Sequence, residues 1–174
     1  MFDRDPNKKA SLYLKQEKWR EGPGPLWTDK GDSVQELQVE RLKGVAFLPG
    51  TKHFVEFIFD TGAYLSFFPR KAWEKCLQGN VEWVSSDPQL MVPVYHDFRG
   101  LGGGVIQCRL GFIELEFRGS YQGKHYTFQR KVFAGFGESQ SESELALLGL
   151  GGGVHLSGGT CLQYDSKSAW LVDF

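Results

Sequence analysis

An acid, a hydroxyl and a glycine break into an apolar run at Phe57-Ile58-Phe59-Asp60-Thr61-Gly62-Ala63. A carboxylate set between Phe59 and Ala63 is badly placed to keep its water. Once held away from water it needs a hydrogen-bond donor, a counter-charge or a proton. The adjoining residues offer no cation. Alone, the tripeptide has a structural reading, because Asp at a strand end caps turns that Thr-Gly can continue. Two further segments bear on the choice. Gly100-Leu101-Gly102-Gly103-Gly104 puts four glycines in five positions ahead of a strand in which Ile113, Leu115 and Phe117 alternate with Glu114 and Glu116. The run Leu147-Leu148-Gly149-Leu150 lies further along.

The elements that must hold these residues are mostly short strands. From Val34 to Leu48 and again over His53–Phe59 the pattern is strand-like, with Pro49-Gly50 as the turn of a β-hairpin. Pro69–Gln78 carries helix formers behind a proline, which predicts a short helix. Strand, turn and strand follow over 80–98, then strands over 105–117 and 124–136, a polar loop, the buried strand of Leu145–Leu150, and a closing hairpin around Asp165-Ser166. Residues 1–32 end in the Gly/Pro-rich "EGPGPLWTDKGD" and read as an N-terminal arm or linker, with a short helix suggested over Ala10–Arg20. Residues 33–174 read as one mostly β domain.

Composition narrows the function classes. The chain has 174 residues, 41% hydrophobic and 14% aromatic, enough for a real core, and its 22 glycines without a repeat point to many turns. Lys+Arg 20 against Asp+Glu 21 leaves a formal charge of -1, which supports neither a nucleic-acid footprint nor a polybasic membrane patch. Cys76, Cys108 and Cys161 have no zinc-type spacing, and His53, His96, His125 and His155 are scattered, so no metal site is expected. The start "MFDRDPNKKASLYLKQ" lacks the apolar core of a secretory signal, and no run reaches the ~18 residues of a membrane span. These features lead us to expect a soluble, cytoplasmic protein. "RGLGGG" has no following Lys-Ser/Thr and leads into a strand, which rules it out as a phosphate-binding loop.

Taken in order, "FDTGA" (59–63), "GLGGGVIQCRLG" (100–111) and "LLGL" (147–150) resemble the motifs of retropepsin-like aspartic proteases, over roughly Val34 to Phe174. The resemblance implies a mostly β acid-protease barrel with a flap hairpin and one or two short helices. It implies an aspartic endopeptidase acting on peptide or protein substrates, in which Asp60, Thr61 and Gly62 form the catalytic loop. Ala63 would leave room for substrate. Gly100, Leu101, Gly102, Gly103 and Gly104 would form the flap tip over it, with Leu101 as its apolar point. Leu148 and Gly149 would pack behind the catalytic loop. The chain has one Asp-Thr-Gly and no Asp-Ser-Gly, since Asp165-Ser166 is followed by Lys167. The missing partner of Asp60 would then be Asp60 of a second copy, in a homodimer needing no cofactor and no metal.

The sequence also departs from the pattern. Tyr64 stands where retroviral members often have an acid, and Leu150 where they have its arginine partner. "GGGVHLSGG" (151–159) replaces an acidic residue and short helix, and its glycine density disfavours a helix. A catalytically silent dimerisation or peptide-binding module, and a β-barrel ligand binder in which Asp60 only caps a turn, are the rival readings.

Overall fold

The Pro49-Gly50 turn closes a β-hairpin, with Gly50 at φ 70, a left-handed conformation that glycine adopts without penalty. The structure, a computed structural model, describes residues 9–19, 26–34, 37–60, 62–99, 104–121, 123–140, 143–149, 160–164 and 169–173. In chain order the first strands are β1 (Lys9–Trp19), β2 (Leu26–Trp27), β3 (Ser33–Val34), β4 (Leu37–Phe47), β5 (Phe54–Asp60) and β6 (Ser66–Phe68). The helix α1 (Arg70–Cys76) and a 3-10 turn over Gln78–Asn80 follow. The remaining strands are β7 (Val81–Trp83), β8 (Tyr95–Arg99), β9 (Val105–Tyr121), β10 (Lys124–Gly137), β11 (Ala146–Gly149), β12 (Thr160–Tyr164) and β13 (Ala169–Asp173).

Six strands close on themselves in the order β4-β5-β11-β6-β10-β9. The ring is completed where β9 returns to β4 through Ala46↔Phe117 and Phe47↔Glu116. Closure removes the free edges that an open sheet of this size would present. Most neighbours are antiparallel, but β11 runs parallel to β5, and β6 parallel to β10. The expected alternation along β9 is present, with Ile113, Leu115 and Phe117 buried inside and Glu114 exposed. Glu116 is tied by Arg118 at 2.6 Å, and that hydrogen bond holds its carboxyl below the usual range. Arg118 also donates to the Thr51 carbonyl at 2.7 Å, fastening the β4–β5 turn to β9.

The core is largely aromatic. Phe136 is fully buried, stacked on Phe68 at 5.2 Å and met edge-on by Trp73 and Trp83. Trp73 comes from α1, which starts behind Pro69 as expected, and its indole N–H donates to the Gly137 carbonyl at 3.0 Å. That bond satisfies the one polar atom the ring buries.

One expectation is corrected. Over Lys9–Trp19 the chain is a strand where helix-forming composition suggested a short helix. Ala10, Leu12 and Leu14 recur with the strand period, and β1 pairs with β4 from Tyr13↔Lys43 to Trp19↔Leu37 and with β13 from Lys9↔Val172 to Leu12↔Ala169. Long-range pairing overrides a weak helix preference. Residues expected to form an arm thus supply a strand to the main sheet. The 151–159 segment lies outside the described residues. No helix among the described residues is long and apolar enough to cross a membrane.

Truncating Phe136 to Ala should empty space that α1, β6 and β7 cannot refill. A loss of about 3–5 kcal/mol is expected, measurable by urea denaturation against the wild-type chain.

Candidate functional site

Asp60 is the last residue of β5, and β11 lies beside it in parallel register, Leu148↔Phe59 and Gly149↔Asp60. The acid turns the chain. Its Oδ1 accepts the Gly62 N–H at 2.9 Å, and its carbonyl accepts the Ala63 N–H at 3.2 Å. The carboxylate therefore has one local donor, and the residue is half-buried rather than sealed from water. After the turn Leu65 and Ser66 are buried, and Ser66 opens β6.

The loop is pinned from behind by Gly149. A Cβ there would lie 2.5 Å from the Ala63 carbonyl oxygen and 2.7 Å from that of Leu65, closer than any side chain tolerates. The Gly149 N–H donates to the Ser66 hydroxyl at 3.1 Å, in a fully buried contact. Backbone lies directly on backbone, and the Ser66 hydroxyl satisfies the buried Gly149 amide.

An open cleft of about 380 Å³ lies at Asp60, lined also by Arg41, Ile58, Phe59 and Leu147. Arg41 comes from β4 and shares the cleft with the acid across the sheet, a cation that the neighbouring sequence did not offer. A larger cleft, about 490 Å³, lies elsewhere, between the start of β5 and α1. Its Lys71 and Lys75 are paired with Glu144 at 3.2 and 3.9 Å, so its charge is largely compensated. The Asp60 cleft is the smaller of these two.

β8 and β9 form a hairpin in antiparallel register from Tyr95↔Arg109 to Arg99↔Val105. One face of β8 rests on the residues that follow Asp60. Phe98 lies against Phe67 at 5.6 Å, and a Cβ on Gly135 would meet the Phe98 ring at 2.5 Å, so glycine makes the seat for that ring. Tyr64 hydrogen-bonds His96 through its hydroxyl. Cys108, opposite His96 in the ladder, is buried; desolvation pushes its thiol up to about 12, with Glu138 and Asp97 adding to the effect. A thiol held protonated in this way is a poor nucleophile.

Of the residues singled out in the sequence, Asp60, Gly62 and Ala63 share one loop, with Leu148 and Gly149 behind it. Gly104, on the tip side of the hairpin, is exposed with open space around its Cα. Thr61, Gly100, Leu101, Gly102 and Gly103 lie outside the described residues. Sequence reasoning missed Ser66, Arg41 and the contacts of His96 and Phe98. The only local signals were a lone hydroxyl between Leu65 and Phe67 and the two-residue spacing of His96 and Phe98, which puts both on one strand face.

No family model and no curated protein matches the sequence. Among solved structures the chain is similar to a retropepsin-like aspartic protease from Rickettsia conorii, at 12% identity and a TM-score of 0.37, over 92% of this chain and 93% of that one. At that identity and score the likeness assigns no chemistry to this chain.

Gly149→Ala should force the Ala63–Leu65 backbone to move and cost about 1–3 kcal/mol or more. Gly104→Ala, with nothing in its way, should stay within about 0.5 kcal/mol of wild type. Thermal melting of the two variants side by side checks both.

Proposed function

We propose that the chain is an aspartic endopeptidase whose working form is a homodimer, with Asp60 of each copy contributing to one dyad. The observation that carries this reading is the setting of Asp60. The Asp60 of a single Asp-Thr-Gly ends a barrel strand, beside a parallel strand whose Gly149 lies on the loop backbone, and lines a cleft. Each chain brings one such acid. Two carboxyls brought together across a two-fold axis cannot both ionise easily, so the pair holds one proton and titrates as a unit.

The chemistry then needs nothing beyond water. The ionised carboxylate takes a proton from a water held between the two acids as the water oxygen attacks the peptide carbonyl carbon. The protonated acid donates to the carbonyl oxygen, and a tetrahedral diol forms. Collapse of that diol breaks the C–N bond while a proton passes to the leaving nitrogen. Thr61 would bond across the dimer interface, and the Gly62 carbonyl would receive the peptide backbone. Ala63 would leave space for it. Gly100, Leu101, Gly102, Gly103 and Gly104 would close over the bound peptide, glycines letting backbone N–H groups approach. Ile58, Phe59 and Leu147 around Asp60 favour apolar side chains next to the scissile bond.

A catalytically silent peptide-binding or dimerisation module is the second reading. It draws on the bond from the Gly62 N–H to Asp60 Oδ1, which gives the acid a turn-capping role of its own.

Wild type and Asp60→Asn should be compared on a mixed peptide library from mildly acidic to neutral pH, with their masses read by sedimentation. The expected result is a dimer in both cases and cleavage lowered about 10²–10⁴-fold in the variant. Dimers that cleave nothing in either case would favour the silent module, and a persistent monomer would remove the partner assigned to Asp60.

A further inference from the structure

Tyr64 is 62% exposed, yet its side chain is held from three directions. Its hydroxyl is bonded to His96 Nε2. Its ring lies nearly parallel to that of Phe98, centroids 6.4 Å apart and planes 5° from one another. The His96 ring meets it edge-on at 6.0 Å. His96 and Phe98 sit on the same face of β8, and Phe98 is itself seated on Phe67 and Gly135. Among the described strands β8 is hydrogen-bonded to β9 alone. Among the described residues, its contacts with the segment after Asp60 include these rings and this side-chain hydrogen bond.

We infer that Tyr64 and His96 form a latch that holds the β8–β9 hairpin at a set height over the Asp60 loop, and that both are positioning residues for a peptide bound between hairpin and acid. The inference rests on the reading of Asp60 as a protease acid. Which partner donates depends on the histidine tautomer, and a neutral imidazole can take either role toward a phenol. Tyr64 touches neither the acid's proton nor the scissile bond. It acts through the hairpin: with the latch intact the hairpin is pre-ordered, and without it bound peptide must supply the order. The cost then falls on binding.

The test uses the full-length protein with Tyr64→Phe, which keeps the stacked ring and removes the hydroxyl, together with His96→Ala, the double variant, and His96→Gln, which restores a polar partner. Hydrogen exchange of the hairpin amides at 95–99 and 105–109 reads the latch without any reference to cleavage. Both single variants should exchange faster there, the double variant no faster than His96→Ala, and His96→Gln slower than His96→Ala, all at unchanged melting temperature. On a cleaved peptide, KM should rise roughly three- to tenfold, the scale of one lost hydrogen bond, with kcat within about twofold. Unchanged exchange, or effects that simply add in the double variant, would overturn the latch. A wild-type protein that cleaves no peptide would overturn the reading of Asp60 instead, with the exchange comparison still deciding the latch.

Discussion

There is no room for a side chain between β11 and the loop that follows Asp60, and much of the site depends on that contact. Gly149 lies so close to the Ala63 and Leu65 carbonyls that a single added carbon would collide with both. The contact requires β11 to run parallel to β5, which in turn requires the intervening chain to cross the barrel and return. Parallel neighbours need a long crossover connection, so this contact depends on chain segments far apart in sequence. Leu148, fully buried beside Phe59, fixes the register that puts Gly149 opposite Asp60.

Two buried or half-buried polar side chains in this region each take a backbone amide. The Ser66 hydroxyl takes the Gly149 amide, and Asp60 takes the Gly62 amide. Asp60 also lines the open cleft that it shares with Arg41. A single chain thus offers one such acid at an open cleft. Two such acids on a two-fold axis would lower each other's tendency to ionise and share a proton, a state that one chain alone cannot reach.

Much of the scaffold was legible because it depends on local rules. The Pro49-Gly50 turn, the helix behind Pro69, and the in-out alternation of Ile113, Leu115 and Phe117 each follow from neighbouring residues, and each is present. Lys9–Trp19 was misread because helix propensity is a local quantity, whereas β1 exists through its partners β4 and β13. For the same reason the site was legible only as a loop. Gly149 stood out through the resemblance that "LLGL" (147–150) carries, which implied packing behind the loop. Nothing near Ser66 pointed to an amide on a distant strand, and nothing near Tyr64 pointed to His96. Arg41 was hidden by chain distance alone: the cation absent from the sequence around Asp60 reaches the cleft from another strand.

The central claim is that one acid from each of two chains makes one site, and subunit mixing tests it most directly. A fixed amount of wild-type protein would be titrated with Asp60→Asn protein under conditions of subunit exchange, and cleavage of one peptide followed. A shared dyad requires the inactive chain to capture wild-type partners in half-acid dimers, so activity should fall toward zero as the variant comes into excess. Activity that stays constant however much Asp60→Asn is added, while sedimentation shows mixed dimers forming, would mean that each chain works with its own acid and would contradict the account.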